Sequence, residues 1–176
     1  MKVFGFAAYS GNGKTTLIEH VLALLLARGL KVSVVKHAHH AFDVDHPGKD
    51  SYRHRQAGAS EVLVSSSARW ALMHELRGEA EPGLPALLER LMPCDLVLVE
   101  GFKKQAIPKI EIHRAAAGTP MLFPDDPHIV ALATDAGIST VLPTFGLEDY
   151  IGIADFMLEH LGLGQRGSCN GPASRR

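Results

Sequence analysis

Ala8-Tyr9-Ser10-Gly11-Asn12-Gly13-Lys14-Thr15 decides how this chain is read. It matches the phosphate-loop pattern G-x-x-x-x-G-K-[ST] at every fixed position but the first, where Ala8 replaces glycine. Gly11 and Gly13 let the backbone curl so that successive N–H groups point at one set of phosphate oxygens. Lys14 adds a cation on a long stem near the β- and γ-phosphates, and Thr15 places a hydroxyl where it can ligate Mg²⁺. A helix starting here adds the positive end of its dipole. Ala8 only has to be small. Ser10, Gly11, Asn12, Gly13, Lys14, Thr15 and Thr16 are therefore candidate nucleotide-binding residues, and Lys14 is also a candidate catalytic group. A glycine-rich turn with an incidental lysine spells the same string, so the flanks must decide.

Residues 2–8 (KVFGFAA) form an apolar run before the loop. After it, LIEHVLALLLARG recurs apolar at helical spacing from Leu17 until Gly29 supplies a stop. Residues 31–35 (KVSVV) return as a β-branched strand, and a strand-helix-strand crossover builds parallel sheets. Farther on, Asp50 or Ser51 can cap a short helix through YRHRQA that ends at Gly58, a strand is expected at 61–64, and the bulky residues at 69–76 suit a fourth strand, although their pattern also serves a helix. LPALLERLM reads as a short amphipathic helix, and DLVLV at 95–99 is apolar enough for a strand covered on both faces. Residues 107–113 and 128–134 are further strand candidates, and 146–161 closes with a helix. The fold class that follows is α/β, a P-loop NTPase-type three-layer sandwich with a mostly parallel central sheet and helices on both faces. A single nucleotide-binding domain is expected over 1–162, followed by a disordered tail over 163–176 with little to bury.

With 176 residues and 46% hydrophobic content the chain can bury one core. Lys plus Arg number 18 against 19 Asp plus Glu, a net charge of -1, so no global field recruits nucleic acid or a membrane. Any anion must be held by a local device. Cys94 and Cys169 make neither a disulfide framework nor a CxxC site, and no apolar run approaches the ~20 residues of a membrane span. The N-terminus carries no signal-peptide pattern. A cytoplasmic protein is expected.

Glu100 follows the buried run directly, where open α/β sheets gather ligands, and is read first as a group that can hold Mg²⁺ and help position a water, with capping of the turn at Gly101 as the lesser alternative. Asp135, after Ala133-Thr134, can accept from guanine N1–H and the 2-amino group, which adenine does not offer, or can be an ordinary turn residue beside Gly137. His37, Asp43 and Asp45 can form a switch-like segment around Mg²⁺ and the γ-phosphate, with Asp45 the candidate metal ligand. Two other classes stay open. A metal chaperone for nickel or another metal would use His37, His39 and His40, and a P-loop kinase would ask Arg53, Arg55 or Arg69 to face the transferring phosphoryl group.

The blocks FAAYSGNGKTTL, VKHAHHAFDVDHPGKDSYRHRQAGA, RWALM, LVLVEGFK, IPKIEIHR and IVALATD occur in this order across about residues 3–160. Together they resemble the molybdopterin-guanine dinucleotide biosynthesis adapter family, MobB, and the second block is far more specific than the phosphate loop. The resemblance implies a dimeric relative of P-loop GTPases that binds GTP with Mg²⁺ and hydrolyses it weakly. It also implies association with the guanylyltransferase MobA, which joins GMP to molybdopterin, and hence possible contact with molybdopterin itself. It strengthens the guanine reading of Asp135. A homodimer is expected as well because the run at 70–73 and the strand at 110–113 give more strand than a compact sheet needs, and an uncovered edge invites pairing.

Overall fold

Leu96, Val97, Leu98 and Val99 expose none of their surface. A strand covered on both faces cannot alternate polar with apolar residues, and this continuous run lies inside a sheet in which every pairing is parallel. The computed structural model describes residues 1–38 and 42–164. In chain order its elements are β1 (Lys2–Ala7), α1 (Lys14–Ala27), β2 (Val32–Lys36), α2 (Asp50–Gln56), β3 (Glu61–Ser65) and β4 (Trp70–His74). There follow α3 (Leu84–Leu88), β5 (Leu96–Glu100), β6 (Lys109–His113), a 3₁₀ turn (Ala115–Ala117), β7 (Ile129–Thr134), β8 (Thr144–Phe145) and α4 (Tyr150–His160). The chain divides into two compact units, Met1–His37 with Leu88–Arg176, and Ala38–Leu87. The sequence reading drew no boundary at either join. Residues 165–176 of the expected tail lie outside the described residues.

The first unit carries the six-stranded sheet, in the order β2-β5-β1-β6-β7-β8. One face buries Phe4, Phe6, Leu96, Leu98, Ile110 and Ile112 against Leu17, Val21 and Leu25 of α1 and Ile153, Ala154 and Met157 of α4. On the other face Ala7, Ile129 and Leu132 pack under Leu122, Phe123, Ile138 and Leu142. The alternation along β1 thus sends Phe4 and Phe6 to the helices and Ala7 to the opposite side. The strand at 107–113 is no surplus edge. It is β6, seated between β1 and β7 with all five residues buried.

α4 begins at Tyr150 and not at Gly146, because Asp149 caps it: Gly152 N–H donates to Asp149 Oδ1 at 3.0 Å. A Cβ at Gly152 would stand 2.5 Å from Asp149 Oδ2, so the carboxylate lies close over the bare glycine. α1 ends with Gly29 at φ 79 and Leu30 N–H bonded to Leu25 O at 3.3 Å, a glycine stop as read from the sequence.

In the second unit β3 and β4 pair only with each other, as an antiparallel ribbon. α2 is capped by neither Asp50 nor Ser51: its N-cap is Lys49, without a side-chain cap, and Ser51 Oγ donates instead to Asp45 Oδ1 at 2.9 Å. Arg55 organises this unit. Its guanidinium reaches Asp43 at 2.8 Å, Glu75 at 2.7 Å and Asp45 at 3.4 Å, and these hydrogen bonds raise its pKa while Arg55 holds Asp43 below the usual carboxylate range.

Candidate functional site

Because the strands of the large sheet run parallel, their carboxyl ends lie along one edge, where β1, β2, β5, β6 and β7 release Ala8, His37, Gly101, Arg114 and Asp135. The phosphate loop leaves β1 between its two neighbours. Gly11 and Gly13 both stand in the left-handed region, at φ 84 and 83, and no atom would lie within 4 Å of a Cβ at Gly11. α1 starts at Lys14 with no acidic residue in its first turn and with Gly13 at its N-cap, so no side-chain carboxylate offsets the positive helix end.

On the β5 side, Glu100 is buried and faces two ammonium groups, Lys14 Nζ at 3.6 Å and Lys36 Nζ at 3.5 Å. The β2–β5 register sets Lys36 opposite Glu100, so the sheet itself fixes this pairing. Gly101 follows at φ 93, where a Cβ would stand 2.8 Å from that of His37. Phe102 is held at φ 50, a strained setting for a bulky residue, and its ring stacks on His37 at 4.6 Å. Lys103 comes next, its ammonium 4.5 Å from the Tyr9 ring centroid. Burial, then the like charge of Lys14, lowers its pKa below the usual lysine range.

On the β6 side, Asn12 joins the loop to the sheet. Its side chain is almost wholly buried; Oδ1 accepts the Arg114 N–H at 2.6 Å, while Nδ2 donates to Tyr9 O at 3.3 Å and Thr119 Oγ1 at 3.4 Å. His113 Nε2 donates to Thr119 O at 3.0 Å, tying the same turn to β6. Arg114 turns its guanidinium toward the loop: a Cβ on Gly13 would lie 3.4 Å from Nη2. Asp135 accepts Ala115 N–H at 2.7 Å through Oδ1, and its Oδ2 stands 3.9 Å from Arg114 Nη1.

Lys109 supports this edge from beneath. It is fully buried, and its ammonium donates to Lys103 O at 3.0 Å and Gln105 O at 2.7 Å and pairs with Asp126 at 2.7 Å. Glu111, next but one on β6, is buried too; burial raises its pKa although Leu122 N–H and Phe123 N–H donate to it at 2.7 and 2.8 Å.

The structure thus brings Gly11, Asn12, Gly13, Lys14, Glu100 and Asp135 to the strand ends, with Ser10, Thr15 and Thr16 in or just after the loop and His37 after β2. Asp45 belongs to the second unit, where Ser51 and Arg55 hold its carboxylate. Arg55, one arginine of the kinase reading, is committed to the carboxylates there, and Arg53 pairs with Asp50 at 3.7 Å. Among the described residues no three His, Cys, Asp or Glu converge on a metal position, and His39 and His40 lie outside them. Arg114, Lys103 and Lys109 were missed from sequence. The available signal was positional: Arg114 directly follows an apolar strand run, as Glu100 does.

A fully parallel sheet with a glycine loop and helix after its central strand defines the P-loop NTPase-type fold. The chain belongs to the family described as Molybdopterin guanine dinucleotide synthesis protein B (MobB), matching it over residues 3–135. It is 44% identical over 160 residues to the molybdopterin-guanine dinucleotide biosynthesis adapter protein of Escherichia coli (strain K12), covering 89% of this chain and 91% of that one. Over 156 residues it is 40% identical to the Haemophilus influenzae protein of the same description, covering 88% and 86%. A crystal structure described as molybdopterin-guanine biosynthesis protein B superposes with a TM-score of 0.73 at 28% identity, over 91% of this chain and 99% of that one.

Proposed function

We propose that this chain is a GTP-binding adapter in the synthesis of molybdopterin guanine dinucleotide, acting in the cytoplasm beside a MobA-type guanylyltransferase. The observation that carries the nucleotide reading is the charge around one loop. Lys14, Lys36, Lys103 and Arg114 gather about the left-handed turn at Gly11 and Gly13, against the carboxylates of Glu100 and Asp135. An excess of cations beside a helix N-terminus suits a polyanion such as a triphosphate. The biosynthetic role comes from family membership and from the descriptions of the relatives. Among the described residues no helix is long and apolar enough to cross a membrane.

The donor set also fits Mg²⁺. Thr15 supplies a hydroxyl and Glu100 a carboxylate held at the strand end, the oxygen ligands this hard cation takes when phosphates complete its shell. Mg²⁺ would neutralise charge on the bound phosphates. Lys14 balances Glu100 without the ligand and would turn to the phosphates with it. Hydrolysis is expected to be slow, with Lys14 and Glu100 as its candidate groups. Asp135 is the candidate for guanine.

A homodimer is part of the proposal. In the β3–β4 ribbon, register puts Leu63 opposite Leu72 and Trp70 opposite Ser65 on one face, and these three large residues are 61%, 44% and 58% exposed. A two-stranded ribbon with such a face gains from a second copy.

A competition titration in Mg²⁺ with GTP, ATP and a pterin tests the nucleotide reading: GTP should bind tightest, and binding of none of the nucleotides would sink it. Light scattering tests the dimer, which fails if the mass stays near 19.0 kDa at tens of micromolar with and without Mg-GTP.

A further inference from the structure

We infer that Arg114 is a phosphate ligand of the nucleotide site, delivered to the loop in cis by the end of β6. The inference rests on the triphosphate reading of the loop and adds to it the residue on the side away from Glu100.

Two contacts place Arg114. Its own N–H is fixed by Asn12 Oδ1 at 2.6 Å, and Asn12 is the buried residue of the loop whose amide also holds Tyr9 O and Thr119 Oγ1. Its Nη2 lies 3.4 Å from the position a Cβ would take on Gly13. The guanidinium is therefore set beside the glycine whose left-handed turn opens the loop, and the loop's own side chain sets the start of its stem.

Chemistry favours an anion as its partner. Arg114 keeps 46% of its side chain exposed, and its one ion pair among the described residues, to Asp135 Oδ2, is 3.9 Å long. Among the described residues no acceptor stands within hydrogen-bond distance of the guanidinium. Lys14, Lys36 and Lys109 each face a carboxylate more closely than this. A planar fork of donors that is positioned but weakly used is suited to non-bridging phosphate oxygens, which it can bind in pairs. A side chain meant only to brace Asp135 would close to hydrogen-bond distance.

Substitution of Arg114 leaves the anchoring bond intact, because Asn12 accepts from the main chain. Arg114→Ala thus removes the guanidinium and spares the loop. The test titrates the full chain with Mg-GTP and with Mg-tripolyphosphate, which has the phosphates and no base. Arg114→Ala should weaken both by roughly ten- to a hundredfold, and Arg114→Lys should recover part of the loss. If the parent binds both probes and Lys14→Ala abolishes this, unchanged tripolyphosphate affinity in Arg114→Ala overturns the inference alone. Loss confined to GTP also overturns it and assigns Arg114 to Asp135 and the base. A parent chain that binds neither probe overturns it together with the nucleotide reading.

Discussion

Lys14 Nζ stands 3.6 Å from Glu100 Oε1, so the lysine that starts α1 and the acid ending β5 neutralise each other. A triphosphate bound as proposed would have to draw Lys14 from this partner. Lys14→Ala is expected to abolish Mg-GTP binding and to leave the fold in place, because Glu100 keeps Lys36 at 3.5 Å. Calorimetric titration beside a thermal melt checks both halves. Unchanged affinity in a folded variant would remove Lys14 from the site.

Glu100→Gln acts in two directions. It removes the carboxylate available to Mg²⁺ and leaves Lys14 and Lys36 without their counter-charge. Triphosphate affinity measured in EDTA should rise by roughly two- to tenfold, while the gain on adding Mg²⁺ shrinks. An undiminished Mg²⁺ effect would show that Glu100 only orders the lysines.

Asp135→Asn separates base reading from structure. The amide oxygen can still accept Ala115 N–H, now at 2.7 Å from Asp135 Oδ1, so the turn should hold. Affinity for XTP should rise relative to GTP, since an amide donor meets the xanthine 2-carbonyl. Equal response of the two nucleotides would leave Asp135 as the clasp of Ala115 and nothing more.

Gly5 makes room for Lys109. A Cβ on Gly5 would lie 2.6 Å from Lys109 Cγ, inside a fully buried side chain. Gly5→Ala should destabilise by about 1–3 kcal/mol through overpacking. Lys109→Met should cost about 2–4 kcal/mol by leaving Asp126 and two carbonyls without their donor. The double variant should lose less than the sum, because a side chain at 109 released from its ammonium anchors can shift away from the added methyl. Urea unfolding of the three proteins gives the cycle, and simple additivity would refute the shared contact.

The Arg55 cluster predicts acid sensitivity with a definite sign. Asp43 has a folded pKa below its ordinary 3.8, held down by Arg55, so its contribution is present above pH 3.8 and is lost as pH falls through the folded value. Arg55→Lys should be less stable than the parent at pH 7, and the gap should narrow as the pH is lowered below 3.8. Urea midpoints across that range report it; a gap that widens toward acid would contradict the pairing.

The sequence by itself determined the glycine turn, the helix after it and the parallel sheet, because these depend on local rules. Glycine spacing sets the turn, apolar periodicity sets α1, and an unbroken apolar run such as 96–99 belongs only in a strand covered on both faces. The positions of Glu100 and Asp135 at strand ends were legible for the same reason, as each ends such a run. Tertiary structure alone decided what surrounds the loop. Strand order put β6 beside β1, which turned the residues at 110–113 from a supposed edge into the sheet's interior and brought Arg114 to Gly13, 101 positions distant in sequence. It also placed the lysine of KIEIH where Gly5 leaves space, although a charged residue in a strand reads as solvent-facing. It left β3 and β4 as a separate ribbon. Strand neighbours are chosen by the summed packing of whole faces, and no short window of residues contains that sum.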